Sequence, residues 1–148
     1  MCFANICRSP LAEGIAGELA ARQALEKSLS FDSAGTSSYH AGKTPDLRSI
    51  AIAQQHGIDI SQQISRQVIP ADFENFSYIL AMDLNNYENL LYHAPIAQHH
   101  KIHLLLEYWP AGNEREVPDP YFLPNGFAVI YDMLSKAIGQ FLEQLPKV

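Results

Sequence analysis

The sequence is poor in charge and in cysteine. Only 18% of its 148 residues are charged, the net charge is −6, and the lysines and arginines are scattered singly. Without the basic stripe that nucleic-acid binding requires, we expect no nucleic-acid partner. The sequence also lacks a long apolar run, a signal peptide and a lipidation motif, so we expect no membrane partner and a cytoplasmic location. The two cysteines, Cys2 and Cys7, cannot make a disulfide framework, and thiol chemistry needs a reducing compartment to persist.

The length and the apolar content indicate one globular domain. A chain of 148 residues that is 47% hydrophobic is long enough to bury a core of its own. It contains no internal repeats and no low-complexity tracts. We therefore expect a single domain over residues 1–148.

The strongest motif lies at the start of the sequence. Cys2 precedes Arg8 by six residues, and Ser9 and Pro10 follow as the predicted N-cap and first residue of a helix. A short loop that runs into a helix N-terminus points several backbone N–H groups at one spot, where the helix dipole also favours negative charge. A cysteine held there is activated as a thiolate, and an arginine beside it can grip two phosphate oxygens. The stretch predicts a phosphate cradle with Cys2 as nucleophile and Arg8 as phosphate ligand.

A second motif supports the first. The cysteine-to-arginine spacing alone is weak, because it arises by chance in roughly one such sequence in fifteen. Near the other end of the chain, however, Asp119 stands between Pro118 and Pro120. Flanking prolines stiffen a loop and can hold a carboxyl out toward a leaving group that needs a proton. Asp119 is the predicted general acid, and then base; the alternative is an ordinary turn residue in a proline-rich loop.

Strands alternate with helices along the chain, which predicts an α/β fold with a parallel sheet covered on both faces. The predicted strands are residues 29–33, 76–82 and 102–106, with a short extended piece at 67–69. The predicted helices cover residues 9–21, a segment opened by residues 44–45 and ending at 56–57, a turn at 70–73, a segment capped by residue 85 or 86, and the apolar stretch 127–145. Ligands of such sheets bind beyond the carboxyl ends of the strands, where Cys2, the loop after Ser33 and Asp119 would meet.

Four segments, in this order, resemble the low-molecular-weight protein tyrosine phosphatases: residues 2–10, 32–36, 78–83 and 118–121. The resemblance covers nearly the whole chain. It implies a four-stranded parallel sheet in the order 2-1-3-4, and hydrolysis of protein phosphotyrosine and small aryl phosphates through a cysteinyl-phosphate intermediate. It implies neither a cofactor nor a metal, and it leaves open whether a cognate tyrosine kinase is a partner.

The resemblance also assigns the other residues of the cradle. Asn5 would bridge the loop in the left-handed conformation, with Ser33 as its partner. Ser9 would cap the helix and donate to the Cys2 thiolate. Cys7 would either form a reversible disulfide with Cys2 or be a packed loop residue. The implied phosphate-binding residues are Phe3, Ala4, Asn5, Ile6, Cys7, Arg8 and Ser9.

The sequence departs from the family pattern at two places. Ala4 occupies a position that is usually glycine, so the loop must form there without freedom at positive φ. Only Met1 precedes Cys2, whereas the family has a hydrophobic strand that leads into the cysteine. Either upstream residues have been lost, which we favour, or the chain folds with a central gap. As written, we expect poor stability and a badly held Cys2, because a missing central strand leaves two neighbours unpaired.

Aromatic residues are the predicted walls of the substrate cleft. Tyr39, Tyr121 and Phe122 lie in the loops that would surround the cradle. A flat aryl phosphate could stack between such rings. The alternative is that they are ordinary amphipathic surface residues.

Three other functions stay open at this point. His99, His100 and His103 invite a metal site, but they have no cysteine or carboxylate at ligand spacing and are expected to be solvated. A thiol-dependent arsenate reductase shares the fold and loop, yet that chemistry needs further cysteines, and none follows Cys7. A non-catalytic module that holds a phosphorylated partner with Arg8 and the loop amides is the rival from another class.

Overall fold

The computed structural model describes residues 1–147. Within them, no helix is both long and apolar enough to span a bilayer. The helices are α1 (Arg8–Arg22), α2 (Leu47–Gln55), α3 (Pro70–Asn75), α4 (Leu84–His93) and α5 (Gly126–Gln144). The strands are β1 (Ile79–Ala81) and β2 (Ile102–Leu104), and short 3₁₀ turns cover Ile96–Lys101, Leu105–Tyr108, Pro110–Gly112 and Pro120–Phe122.

Helices cover both faces of the parallel pair β1 and β2. Successive side chains of a strand point to opposite faces. Ile79 and Ala81 therefore pack in one apolar cluster with Phe73 of α3 and Leu90 of α4. Met82, which follows β1, packs in the other cluster with α1, α2 and α5. The predicted α/β class is confirmed.

The sheet is smaller than the four strands expected. Among residues 1–147, only β1 and β2 form a ladder, with Ile79 opposite Ile102. The predicted strand at residues 29–33 forms none, because a ladder needs a hydrogen-bonded neighbour and a cavity of about 580 Å³ separates this stretch from β1. Further along, single parallel bridges join Cys2 to Gly35 and Gly35 to Gln67.

The start of α1 differs from the prediction. The helix begins at Arg8, and its N-cap is Cys7, which makes no side-chain capping bond. Ser9 is therefore inside the first turn and is not the cap. Its hydroxyl contacts the Cys2 thiol instead, so the predicted second role of Ser9 has the geometry it needs while the first is wrong.

Helices α2 and α4 also begin at other residues than predicted, which were 44–45 and 85–86 respectively. Asp46 caps α2 by accepting a backbone N–H two residues further on, at 2.9 Å. Asp83 caps α4 by accepting the backbone N–H of Asn86 at 2.7 Å. Aspartate is among the best N-cap residues because its carboxylate satisfies the free donors of the first turn. Both aspartates also contact side chains of the site.

Candidate active site

Residues 2–7 form a tight loop in front of α1, and Arg8 and Ser9 belong to the first turn of that helix. Asn5 has a φ of 57°, the left-handed conformation predicted for it, and Ala4 is not among the residues with positive φ. The alanine thus replaces glycine at a position where this backbone does not need glycine. Gly35 does need to be glycine, because a Cβ there would lie 2.6 Å from the carbonyl oxygen of Phe3 and 3.1 Å from the backbone nitrogen of Asn5.

Backbone N–H groups of this loop are available to an anion. In the part of the chain that the structure describes, no N–H of residues 3–7 donates to a protein acceptor. The N-terminus of α1, where no side chain caps the helix, adjoins these donors. Convergent N–H groups at a helix N-terminus form an anion site. The predicted phosphate cradle therefore has the geometry that the chemistry requires.

The Cys2 thiol is buried and receives one defined hydrogen bond. Its Sγ lies 3.0 Å from Ser9 Oγ, and the residue is 4% exposed. Asn5 Nδ2 donates to the same Ser9 oxygen at 2.8 Å. Because Ser9 accepts from Asn5, its own hydrogen is free to point at sulfur. Ser9 can thus stabilise a Cys2 thiolate.

Asn5 connects the Ser9 hydroxyl beside this thiol to Ser33 and Arg66. Its Oδ1 accepts the backbone N–H of Arg66 at 3.1 Å, which fixes the amide orientation. Its Nδ2 donates to Ser33 Oγ at 3.0 Å, the contact that the family resemblance implied. Ser33 Oγ in turn donates to Glu13 Oε2 at 2.6 Å. Burial raises the pKa of the Glu13 carboxyl, and the bond from Ser33 opposes that shift.

Arg8 is held from behind by two acceptors. Its Nη1 donates to Asp83 Oδ2 and to the Val117 carbonyl, each at 2.8 Å, and the residue is 7% exposed. Both contacts use one nitrogen, so the rest of the guanidinium fork is left for a ligand. Sequence reasoning missed Asp83 as a site residue. The available signal was its position directly after the carboxyl end of a predicted strand.

Cys2, Arg8 and Asp119 meet at one cavity of about 240 Å³. Asp119 precedes the 3₁₀ turn Pro120–Phe122, and its Oδ1 accepts the Tyr121 backbone N–H at 3.0 Å. The other lining residues are Phe3, Ala4, Ile6, Cys7, Tyr39, His40, Pro120 and Tyr121.

Tyr121 ties the loop of Asp119 to the cradle. Its hydroxyl donates to Asp46 Oδ2 at 2.7 Å, and the Asp46 backbone N–H donates to the Ile6 carbonyl at 2.8 Å. Arg48 pairs with both oxygens of Asp46 and lies 4.3 Å from the centre of the Tyr121 ring. The bonds from Arg48 and Tyr121 lower the pKa of Asp46 to about 2, so this anchor is ionised at neutral pH.

Phe122 does not line the cleft as predicted. Its side chain is 84% exposed, because the 3₁₀ turn carries it away from the cavity. His40, which no motif in the sequence singles out, lines the cavity instead. The His40 ring stands edge-on to Tyr39 with ring centres 4.7 Å apart.

The Cys7 thiol is buried and lies near the carboxylate of Asp46. Burial, with a further contribution from Asp46, raises the pKa of the Cys7 thiol to about 12. Both cysteines are free thiols. Cys7 is therefore protonated at neutral pH, and the predicted disulfide with Cys2 stays a prediction.

The predicted metal alternative gains no support. Among residues 1–147, no three or more histidine, cysteine or acidic side chains are placed to hold a metal ion. His99 Nε2 lies 3.1 Å from the Ala94 carbonyl, and His103 faces Glu107 at 3.9 Å.

A thiol, a guanidinium and free amides around one cavity at the carboxyl end of an α/β sheet define a phosphate-handling enzyme. Comparison with known proteins specifies which class this is. A family model described as low molecular weight phosphotyrosine protein phosphatase matches residues 1–148.

Named relatives and solved structures agree with that match. The chain is 35% identical to the low molecular weight protein-tyrosine-phosphatase YfkJ of Bacillus subtilis over 147 residues, which covers 99% of this chain and 94% of the relative. It is 35% identical to the low molecular weight phosphotyrosine protein phosphatase of Homo sapiens, covering 97% and 92%. A crystal structure of a protein tyrosine phosphatase from Entamoeba histolytica superposes with a TM-score of 0.92 at 37% identity, covering 97% and 92%. The chain belongs to the low molecular weight phosphotyrosine protein phosphatase family, whose members are protein-tyrosine phosphatases and thus hydrolases, as the sequence predicted.

Proposed function

We propose that this chain hydrolyses protein phosphotyrosine and small aryl phosphates through a cysteinyl-phosphate intermediate. The observation that carries the proposal is the shared cavity of Cys2, Arg8 and Asp119. The three supply a nucleophile, a phosphate ligand and a proton donor, which are the groups that ester cleavage through a covalent intermediate needs.

In the first step, Cys2 Sγ attacks phosphorus while the loop amides and Arg8 hold the three non-bridging oxygens. A sulfur–phosphorus bond forms and the bond to the aryl oxygen breaks. Asp119 gives its proton to that leaving oxygen. Arg8 also stabilises the charge that spreads over the equatorial oxygens in the transition state. The Ser9 hydroxyl, 3.0 Å from sulfur, favours the thiolate that begins the step.

In the second step, the Asp119 carboxylate accepts a proton from a water molecule that attacks phosphorus. The sulfur–phosphorus bond breaks, inorganic phosphate leaves, and Cys2 returns to the thiolate. One carboxyl acting first as acid and then as base follows from microscopic reversibility. All of these groups are side chains and amides of the chain itself, so the proposed reaction uses neither a metal nor a cofactor.

The cleft favours aryl phosphates over alkyl ones. Cys2 is buried at the bottom of the cavity, and Tyr39 and Tyr121 stand at its mouth. A phosphotyrosine side chain is long enough to carry its phosphate to the cradle while its ring stacks on these tyrosines. Phosphotyrosine proteins are the proposed partners, and a cognate tyrosine kinase stays a prediction.

We propose the strand order 2-1-3-4 within one catalytic domain over residues 1–148. The bridge from Cys2 to Gly35 on one side and the bonds from Met1 to Leu80 and Met82 on the other support it. In the proposed order, the first residues of the chain lie in the central position, between residues 32–36 and residues 78–83. The two free thiols support the predicted cytoplasmic location.

The test is hydrolysis of an aryl phosphate at mildly acidic pH. We would compare the chain as written, a version extended by a hydrophobic N-terminal strand, and Cys2→Ser in each. Turnover by both thiol-containing versions, with none by Cys2→Ser, is the expected result. Activity of the extended version alone would mean that catalysis needs a completed sheet.

Binding of inorganic phosphate separates the phosphatase from its rivals. If neither version turns over while phosphate still binds, the non-catalytic module replaces the phosphatase. The arsenate reductase alternative predicts arsenate reduction coupled to thiol consumption, which a chain with no cysteine after Cys7 should not support.

A further inference from the structure

The loop that carries Asp119, residues 118–123, is called the acid loop here, and it is joined to the rest of the molecule at few points. Asp119 Oδ1 accepts the Tyr121 N–H, so this contact stays within the loop. Among residues 1–147, Tyr121 has the one side chain of the acid loop that forms a hydrogen bond outside it, from its hydroxyl to Asp46 Oδ2 at 2.7 Å. The position of the Asp119 carboxyl therefore depends on how Tyr121 is held.

Arg48 holds Tyr121 in two ways. Its Nε and Nη2 donate to the two carboxylate oxygens of Asp46, each at 3.0 Å, and this fork fixes the carboxylate that accepts the Tyr121 hydroxyl. Its guanidinium carbon also lies 4.3 Å from the centre of the Tyr121 ring and 4.7 Å from the centre of the Phe127 ring in α5. The face of an aromatic ring attracts a cation. Arg48 thus joins α2, the acid loop and α5.

The first turn of α2, which carries Arg48, is bound to the cradle. The Asp46 N–H donates to the Ile6 carbonyl at 2.8 Å. The Ser49 hydroxyl, which is fully buried, donates to the Cys7 carbonyl at 3.1 Å. Arg48 therefore extends to the acid loop from a base whose position relative to the phosphate loop is fixed.

The acid loop packs against α5 on its other side. Gly126 begins this helix, and a Cβ at that position would overlap the Pro120 carbonyl. The Tyr121 and Phe127 rings meet edge-on with their centres 6.1 Å apart. Since α5 supports the loop only through such packing, the directional contacts come from the α2 side.

Arg48 differs from an ordinary surface arginine of the same chain. Arg22 makes one bond to Glu18, and the two side chains are 65% and 37% exposed, a kind of pair that contributes little. The Asp46 side chain, in contrast, is only 14% exposed and accepts both arms of the Arg48 fork. Within the described part of the chain, Arg48 is not among the residues that line the cavity of Cys2. Any effect of Arg48 on the reaction must therefore pass through other side chains.

We propose that Arg48 is a positioning residue for the general acid. It holds the acid loop at the separation from the cradle at which the Asp119 carboxyl reaches the leaving oxygen, and it acts through Asp46 and Tyr121. This inference rests on the proposed function, in which Asp119 protonates that oxygen. Loss of Arg48 should slow proton donation and leave the phosphate contacts of the cradle unchanged.

The test is a double-mutant cycle of Arg48→Met and Asp119→Asn, measured as kcat/KM for phenyl phosphate. Methionine keeps most of the side-chain length but removes the charge and the fork. We expect Arg48→Met to lower kcat/KM about tenfold when Asp119 is present, because a displaced acid transfers its proton less well. In the Asp119→Asn background it should cause no further loss, because that side chain has no proton to deliver. For 4-nitrophenyl phosphate, a good leaving group, the loss should be about twofold at most.

Three controls accompany the cycle. Arg22→Met makes the same substitution at a surface arginine with a single bond and should change no kinetic constant. Calorimetry should show that inorganic phosphate binds equally well to Arg48→Met and to the unaltered chain. Arg48→Lys keeps the charge without the fork, should give a smaller loss of the same kind, and replaces Arg48→Met in the cycle if that variant does not fold.

Two kinetic results would overturn the proposal. Equal losses with and without Asp119, or with both esters, would mean that Arg48 acts on the cradle or on folding and not on the acid. Weaker phosphate binding in Arg48→Met would lead to the same conclusion.

Backbone hydrogen exchange distinguishes this inference from the proposed function. The acid loop should exchange faster in Arg48→Met, while residues 2–9 exchange as before. If the unaltered chain hydrolyses neither ester, the proposed function fails and the positioning role with it. If it hydrolyses both esters while the acid loop exchanges equally fast in the two proteins, only the positioning role is overturned.

Discussion

The two ends of the sheet region differ in how many hydrogen bonds join neighbouring parts of the chain. At the carboxyl ends, the cradle of residues 2–9 is hydrogen-bonded to four other parts of the chain, through Ser33, Asp46, Ser65 and Asp83. A few residues upstream, residues 29–33 and β1 face each other across a cavity, and no backbone hydrogen bond joins them. The catalytic end of this domain therefore does not depend on the whole sheet for its local geometry.

The comparison corrects one expectation from the sequence. The sequence predicts a badly held Cys2, because only Met1 precedes it. Yet the Cys2 carbonyl bonds to Thr36, the Phe3 carbonyl bonds to Ser37, and the Cys2 thiol contacts Ser9. Side-chain and loop hydrogen bonds thus position the nucleophile at the place where a longer strand ladder was expected to do so. The poor stability that the sequence predicts stays a prediction, and it concerns the cavity between residues 29–33 and β1.

The largest effect should come from removing the proposed proton donor, Asp119, which lines the same cavity as the cradle. Asp119→Asn keeps an oxygen for the Tyr121 N–H but cannot give a proton. We expect kcat/KM for phenyl phosphate, a poor leaving group, to fall by about 10²- to 10⁴-fold, and that for 4-nitrophenyl phosphate to fall much less. Steady-state kinetics on the two esters measures the difference. Asp132→Asn, which loses only a surface pair with Lys136, is the control; equal losses on both esters would contradict the acid role.

The next largest effect should come from disrupting the close packing of Gly35 against the backbone of the cradle. Gly35→Ala would push a Cβ against the Phe3 carbonyl, which is backbone and cannot rotate away. We expect the free energy of unfolding to fall by about 3 kcal/mol, with weaker binding of inorganic phosphate. Chemical denaturation measures the first and calorimetry the second. In the control Gly17→Ala, where a Cβ would meet nothing within 4 Å, stability should rise by up to about 1 kcal/mol. Unchanged stability in Gly35→Ala would show that residues 3–5 do not pack closely against Gly35.

A third prediction concerns the amino group of Met1, which lines the cavity beside β1. Burial lowers the pKa of the Met1 ammonium to about 6 from its ordinary 8.0. Between these values the unfolded chain holds the proton and the folded chain does not, so the free energy of unfolding should rise with pH, by up to about 2 kcal/mol. Denaturation across this range measures the slope. An acetylated N-terminus keeps the N–H but has no charge and should remove this part of the slope; identical slopes in both forms would refute the prediction.

The smallest effect should come from removing the hydrogen bond between Tyr121 and Asp46 beside the cradle. Tyr121→Phe removes the hydroxyl bond to Asp46 and should cost about 1 kcal/mol, because the pair is partly exposed. Since the pKa of Asp46 is lowered to about 2, this contribution should be constant above its ordinary value of 3.8 and disappear as pH falls through about 2. Denaturation of both proteins against pH tests this. Tyr92→Phe, at a side chain that is 85% exposed, should have no effect at any pH. A cost that persists at the lowest pH would assign the effect to packing.

The parts of the site that sequence reasoning found are those defined by neighbours along the chain. The phosphate loop, its helix and the proline-flanked Asp119 each owe their geometry to local backbone chemistry, which is written in consecutive residues. The contact of Asn5 with Ser33 spans 28 residues and came from the family resemblance, not from spacing. The helix caps were missed at α2 and α4 because several polar residues compete for a cap, and only the final backbone path selects Asp46 and Asp83.

Sequence alone thus determined the α/β class, the family and the order of Cys2, Arg8 and Asp119 along the chain. Only the tertiary structure decided that Asp83 holds Arg8, that Tyr121 ties the acid loop to Asp46, and that Phe122 points outward. It also decided that residues 29–33 have no ladder partner. The physical reason is the same in each case: these outcomes depend on which distant groups come within hydrogen-bonding distance, and local propensity does not contain that information.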